Sequence, residues 1–182
     1  LKHGPNNITF KEFCKLKNTP DWLCGGFNIW CANDADNFGY KIFFGEHGSP
    51  ISNDEQSIKG TPDDLKADIV KGLTLKQGFK ILQTLYEYQL HPKPVEIFKF
   101  KSVEGIKIEK ADNPIAKNMW ENRKNLLQNI PKLYDTFGEH ADYMINRGPH
   151  NFGIYKNKIT IIDVDYESFY FAGIIKEKPF FI

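Results

Sequence analysis

The order of elements in this chain predicts an α+β fold, and three observations carry that expectation. The first half holds several short strand-like runs around one amphipathic helix. A mostly helical stretch follows from 113 to 145. A short hairpin comes after it, between 151 and 164. Strands and helices are segregated along the chain rather than alternating, which suits an antiparallel α+β domain better than a parallel α/β one.

Taken in order, Thr9-Phe10-Lys11-Glu12 reads as a capping box that opens a short helix to about Leu16, and Asn18-Thr19-Pro20-Asp21 breaks it. Residues 22–31 and 38–44, rich in Trp, Phe, Ile and Tyr, read as two strands joined by the turn-forming stretch 33–37. A polar loop covers about 45–60, and Thr61-Pro62-Asp63-Asp64 starts a helix that Gly72 ends. Thr74-Leu75-Lys76-Gln77 caps a second helix to about Tyr88, with Leu75, Phe79, Leu82 and Leu85 at helical spacing and His91-Pro92 as its stop. Val95–Val103 and Gly105–Glu109 are the next strands. The helical stretch from Asn113-Pro114 to Ile145 is interrupted near Pro131 and Gly138. The hairpin pairs 151–154 with 158–164 about a turn at Lys156-Asn157.

The chain has 182 residues, enough for one domain or one compact two-lobed unit. Its 24 Lys plus Arg and 23 Asp plus Glu leave a formal charge of +1, which argues against a partner held by bulk charge such as nucleic acid. The 15 Phe, 8 Tyr and 3 Trp are expected to pack a core. Cys14, Cys24 and Cys31 are odd in number and form no CxxC pair, so reduced thiols are expected rather than a disulfide framework or a zinc site. His140, Asp142 and His150 match no zinc spacing. No apolar run approaches the length of a membrane span, and no signal peptide is visible. The expected setting is the cytoplasm, or a host cytosol into which the protein is delivered.

One segment points to chemistry. Asn151 stands just ahead of one hairpin strand, and Asp163 stands at the end of the other. A tight hairpin brings its two ends together, so an amide oxygen and a carboxylate converge. Hard oxygen ligands of this kind suit Mg²⁺, which keeps water and phosphate oxygens as its remaining ligands. Asp165, two residues on, supports Asp163 or replaces it.

The segment resembles the catalytic core of protein kinases, where a loop ending in Asn leads through a short hairpin to a metal-binding Asp. Pro149-His150-Asn151 looks like the end of that loop, and Asp163 is similar to the first residue of the kinase Asp-Phe-Gly triplet, with Asp165 in the third place. Upstream, Gly25-Gly26-Phe27 and Lys41 in Tyr40-Lys41-Ile42-Phe43 resemble the glycine-rich loop and the strand whose Lys meets ATP phosphates. The resemblance covers about residues 23–170 in element order, with 144–165 its specific part. It implies a single domain over 1–182, a minimal two-lobed protein-kinase-like fold. Its N-lobe (about 20–109) is strand-rich with one central helix, and its C-lobe (about 110–182) is helical and reduced. It further implies ATP and Mg²⁺ as cofactors, with Lys41, Asn146 and Asp163 at the catalytic positions. Gly25, Gly26, Lys41 and Glu109 would bind nucleotide, with adenine on the backbone near Ile108-Glu109-Lys110, and Asn151, Asp163 and Asp165 would hold the metal.

Three departures accompany the resemblance. The family's catalytic Asp stands five residues before the metal Asn, and here that position is Asn146, which cannot act as a carboxylate base; Asp142 or Asp165 is the substitute on offer, with a helix-surface place the preferred reading of Asp142. The helix Glu that pairs with the strand Lys is missing, Gln77 being the nearest candidate. Only 17 residues follow Asp165 in this sequence, too few for the family's activation segment and large C-terminal helices. The expected function is phosphotransfer from Mg-ATP to a protein substrate, impaired by Asn146. A pseudokinase serving as a nucleotide- or protein-binding module, a small-molecule kinase and an unrelated α+β binding domain are the alternatives.

Overall fold

The computed structural model describes residues 8–19, 22–24, 28–33, 35–43, 75–101, 103–113, 115–128 and 130–164. Gly25, Gly26, Asp165 and the helix expected from Thr61 lie outside them.

Helix α1 spans Ile8–Leu16, so Thr9 lies within it rather than at its cap. The helix closes on Asn18 in the left-handed region (φ 51°), with the Thr19 N–H on Cys14 O and the Asn18 N–H on Lys15 O. That pair of bonds is a Schellman motif, and Asn tolerates the conformation because its short polar side chain hydrogen-bonds locally. The run expected as one strand over 22–31 is two, β1 (Trp22–Cys24) and β2 (Asn28–Ala32), paired antiparallel with Trp22 opposite Cys31. β3 (Phe38–Phe43) pairs antiparallel with β2, Trp30 lying opposite Lys41.

Helix α2 (Leu75–Glu87) ends on a second Schellman motif: Gln89 takes φ 63°, Leu90 N–H bonds Leu85 O, and Gln89 N–H bonds Tyr86 O. The chain thus leaves the helix before His91-Pro92, the expected stop. Leu85 and Leu90 are both buried, the apolar contact that accompanies this motif. β4 (Pro94–Phe100) and β5 (Val103–Glu109) follow as an antiparallel pair, with Val103 in the second strand rather than closing the first. The five strands form one antiparallel sheet in the order β1-β2-β3-β5-β4.

The helical stretch resolves into α3 (Lys117–Glu121), α4 (Arg123–Gln128), α5 (Pro131–Phe137) and α6 (His140–Ile145). Pro131 sits in the first turn of α5, where its missing N–H costs nothing, and Gly138 ends that helix at φ 55°. A 3₁₀ turn, Pro149–Asn151, leads into β6 (Phe152–Tyr155), which pairs with β7 (Lys158–Ile161). Lys156 and Asn157 both have positive φ (49° and 64°), as a two-residue turn matching the strand twist requires.

The register divides the sheet into two faces. Tyr40 pairs with Lys107 and Phe98 with Gly105, so these share a face, where Phe13 of α1 packs its ring against Tyr40 and Phe98. Lys41 pairs with Ile106 and therefore points to the opposite face. There Ile106 and Ile108 join Leu82 and Leu85 of α2, Leu133 and Met144 of the helices, and Phe152 and Ile161 of the hairpin in one buried cluster. The close passage of β5 against β3 needs Gly105, where a Cβ would lie 2.4 Å from Lys41 O. The architecture is mixed α and β with an antiparallel sheet. Cys14 and Cys31 are buried thiols, not bridged. Among the described residues no helix is long and apolar enough to cross a membrane.

Candidate functional site

Three separate parts of the chain meet at Ile162-Asp163, just beyond the hairpin. The first is the hairpin itself. Phe152 opposite Ile161 sets the ladder, and Asn151 O then accepts the Ile162 N–H at 2.9 Å. β7 ends at Ile161, so Asp163 lies two residues past the strand rather than at its last position. The second is the exit of α2, where Leu90 O accepts the Ile161 N–H at 2.8 Å. The third is β3: the Lys41 Nζ donates to Ile162 O at 3.2 Å, and Lys41 is only 5% exposed. An ammonium on the core-facing side of the sheet is thereby held on the residue next to Asp163.

Asn151 is buried and tightly held. Its Nδ2 donates to Gly148 O at 3.1 Å and lies 3.3 Å from the His150 Nε2. Asn113 braces the same turn by donating to Phe152 O and His150 O. With the two amide hydrogens directed there, Asn151 Oδ1 is left buried with no hydrogen-bond partner among the described residues. Such an orphan acceptor costs on the order of 1–3 kcal/mol when nothing satisfies it. A cation would satisfy it, and the Asn–Asp oxygen pair fits Mg²⁺ by donor type. Among the described residues there is no group of three or more His, Cys, Asp or Glu that could hold a metal, so protein ligation would be sparse. Sparse ligation is how Mg²⁺ is usually bound beside phosphates.

Asp163 already has a cation. The Arg147 Nη2 lies 3.1 Å from its Oδ2, and the Arg147 Nη1 donates to its backbone oxygen at 2.7 Å. The loop carrying Arg147 is buttressed from behind, since the Trp120 Nε1 donates to Arg147 O and the Arg123 Nε to Ile145 O.

His91 is the other group that the sequence did not mark as part of this site. It is buried, its Nδ1 lies 2.7 Å from Pro92 O, and its pKa is pushed down to about 3, chiefly by burial and then by the Lys41 charge. A neutral imidazole with a protonated Nδ1 fits that contact. Because the unfolded chain titrates His near 6.5, the unfolded state takes up a proton below that pH while the folded state does not. The His91 contribution is complete above pH 6.5 and is lost as pH falls from 6.5 toward 3, at about 1.4 kcal/mol per pH unit. Denaturation of wild type and His91→Gln between pH 5 and 7 should therefore show the steeper pH dependence in wild type; parallel curves would remove His91 from this account.

The remaining expected site residues fall elsewhere. Asn146 is exposed at the end of α6, and its amide donates back to Asp142 O at 2.8 Å. Asp142, on the surface of that helix, accepts the Tyr134 hydroxyl at 2.9 Å. Glu109 accepts the Tyr155 hydroxyl, whose pKa is raised by burial and by that carboxylate. The N–H groups of Glu109 and Lys110 donate to Lys93 O and Asn37 O. A cleft of about 540 Å³ opens between residues 36–38, the 109–112 segment and the β6–β7 turn. It is lined by Asp36, Lys110, Asp112 and Tyr155, and by none of Lys41, Asn151 or Asp163.

The residues missed from the sequence left faint signals. Arg147 lies in the loop between Asn146 and Asn151, a basic side chain close to two expected metal ligands. His91 follows the helix end and reads there only as part of a stop. No protein-family model and no curated protein matches this chain.

Proposed function

We propose that the chain is a divergent protein-kinase-like domain, reduced from the two-lobed form, that binds Mg-ATP at Lys41, Asn151 and Asp163 and transfers phosphate slowly to a protein substrate. The observation that carries this reading is the bond of Lys41 to Ile162 O across 121 residues of sequence, at the residue whose N–H is held by Asn151 O, while Asn151 Oδ1 has no hydrogen-bond partner among the described residues. Element order supports it as well. A hairpin, a third strand bearing the Lys, a helix, two further strands, short helices and an Asn-hairpin-Asp unit follow one another as they do in that fold.

Lys41, held on Ile162 O, would orient the α- and β-phosphates. Asn151 Oδ1 and the Asp163 carboxylate would hold the ion. The bound ion supplies charge neutralisation on the phosphates, the main requirement of phosphoryl transfer. Asn146 has no proton-accepting carboxylate, so the acceptor hydroxyl goes without a positioned base.

A second reading, a pseudokinase that binds nucleotide without transfer, is favoured by Asn146 and by the Arg147–Asp163 ion pair. Both readings predict that Mg-ATP raises the melting temperature, by mass action on the native state. At about 100 times Kd the gain is about 2.7 kcal/mol. Asp163→Ala should remove the Mg²⁺-dependent part of that gain, and Asp165→Ala should do less. Because the Asp163 side chain is 41% exposed, its ion pair contributes no more than about 1 kcal/mol, so the unliganded Asp163→Ala protein should stay folded. No shift at millimolar Mg-ATP in wild type would count against both readings. Transfer of γ-labelled phosphate then separates the two.

A further inference from the structure

Asp163 is already ion-paired: Arg147 contacts its Oδ2 at 3.1 Å and donates to its backbone oxygen at 2.7 Å. The Arg147 side chain is only 15% exposed against 41% for Asp163, so the guanidinium reaches the acid from a partly buried, preformed position. Trp120 and Arg123 hold the backbone of that loop in place. A guanidinium and a divalent ion on one carboxylate repel each other and share a single negative charge, so each weakens the other's hold. A guanidinium displaced from a carboxylate does have an alternative partner of matching geometry, since its fork binds phosphate oxygens as it binds carboxylate oxygens.

We infer that Arg147 is the resident counter-ion of Asp163 and couples metal to nucleotide. It holds the carboxylate while the site is empty, disfavours a metal arriving alone, and passes to the phosphates when metal and nucleotide arrive together. This inference rests on the nucleotide-binding reading above and deepens it. Arg147 is here a binding residue: it moves from the Asp163 carboxylate to the phosphates and so sets the order and affinity of binding. The competition is local. The ion pair described at the Asp163 carboxylate is the one with Arg147.

Mn²⁺, visible by electron paramagnetic resonance, is the probe. It is titrated into the full chain and into Arg147→Gln, alone and with a non-hydrolysable ATP analogue. Wild type should bind Mn²⁺ weakly alone and much more tightly with the analogue. Arg147→Gln should bind Mn²⁺ alone about fivefold more tightly, the size of a partly exposed ion pair, and should bind the analogue less tightly than wild type does. A purely structural Arg147 would lower thermal stability but would not raise the affinity for the bare ion. Arg147→Met, which keeps a packed stem, repeats the titration if the Gln variant does not fold. Metal affinity that is unchanged or weaker in the folded variants would overturn the inference and leave nucleotide binding by wild type standing. Failure of folded wild type to bind Mn²⁺ even with the analogue would overturn the nucleotide-binding reading itself.

Discussion

Asn146→Asp should raise phosphotransfer by about 10²–10⁴-fold, the range that a positioned general base supplies. The position is five residues before Asn151, where the kinase pattern carries its catalytic Asp, the base. The present side chain is occupied elsewhere: its Nδ2 donates to Asp142 O within the last turn of α6. A carboxylate cannot make that bond. It would also face the negative end of the helix, a repulsion on the order of 0.3–1 kcal/mol, so it should swing away from the helix and toward the loop. The substitution thus adds a proton acceptor and releases it from its tether in one step, at a small cost in stability. The assay is transfer of γ-labelled phosphate to a generic protein acceptor, with melting temperature followed in parallel. If the unmodified chain already turns over briskly and the variant matches it, residue 146 is not the base position. The 146–151 loop would then serve another purpose.

The second large effect is structural. Phe152→Ala should destabilise the protein by about 3–5 kcal/mol, the usual cost of emptying an aromatic site in a packed core. Phe152 is 0% exposed, among the largest fully buried side chains, and opposite Ile161 in the hairpin. Domains of this size are stable by only about 5–15 kcal/mol, so the loss is a large part of the total. Asn151 immediately precedes Phe152 and depends on the same ladder, so the Mg²⁺-dependent response to ATP should weaken along with stability. Urea denaturation gives the result as a lower midpoint at unchanged slope. Leu126→Ala, at a side chain 38% exposed, is the control and should cost far less. A Phe152→Ala midpoint close to wild type would mean that the hairpin does not share the core cluster.

The helix over 75–88 was legible because Leu75, Phe79, Leu82 and Leu85 repeat at its period, and the structure ends it at Glu87. The closing hairpin was legible because two apolar runs flank a two-residue turn that both Lys156 and Asn157 complete with positive φ. By contrast, the run from 22 to 31 read as one strand and is two. Nothing in a continuous stretch of strand-forming residues says that Trp22 will pair with Cys31 of the same run.

Local pattern by itself settled the mixed α and β class, the central helix, the closing hairpin and the place of Asn151 ahead of it. Each depends on contacts between residues a few positions apart, whose geometry the side-chain types determine directly. Tertiary packing alone decided the rest. The face of the sheet that Lys41 occupies is set only when β3 takes its register with β5, and its bond to Ile162 O then closes a separation of 121 residues. The N–H groups of Glu109 and Lys110 were committed to Lys93 and Asn37 by strand neighbours that no spacing announces. The Arg147 grip on Asp163 and the neutral state of His91 follow the same rule. A charged or titratable side chain takes its partner and its pKa from whatever the fold brings beside it and from how much water the fold removes, and neither is written in the residues next to it in sequence.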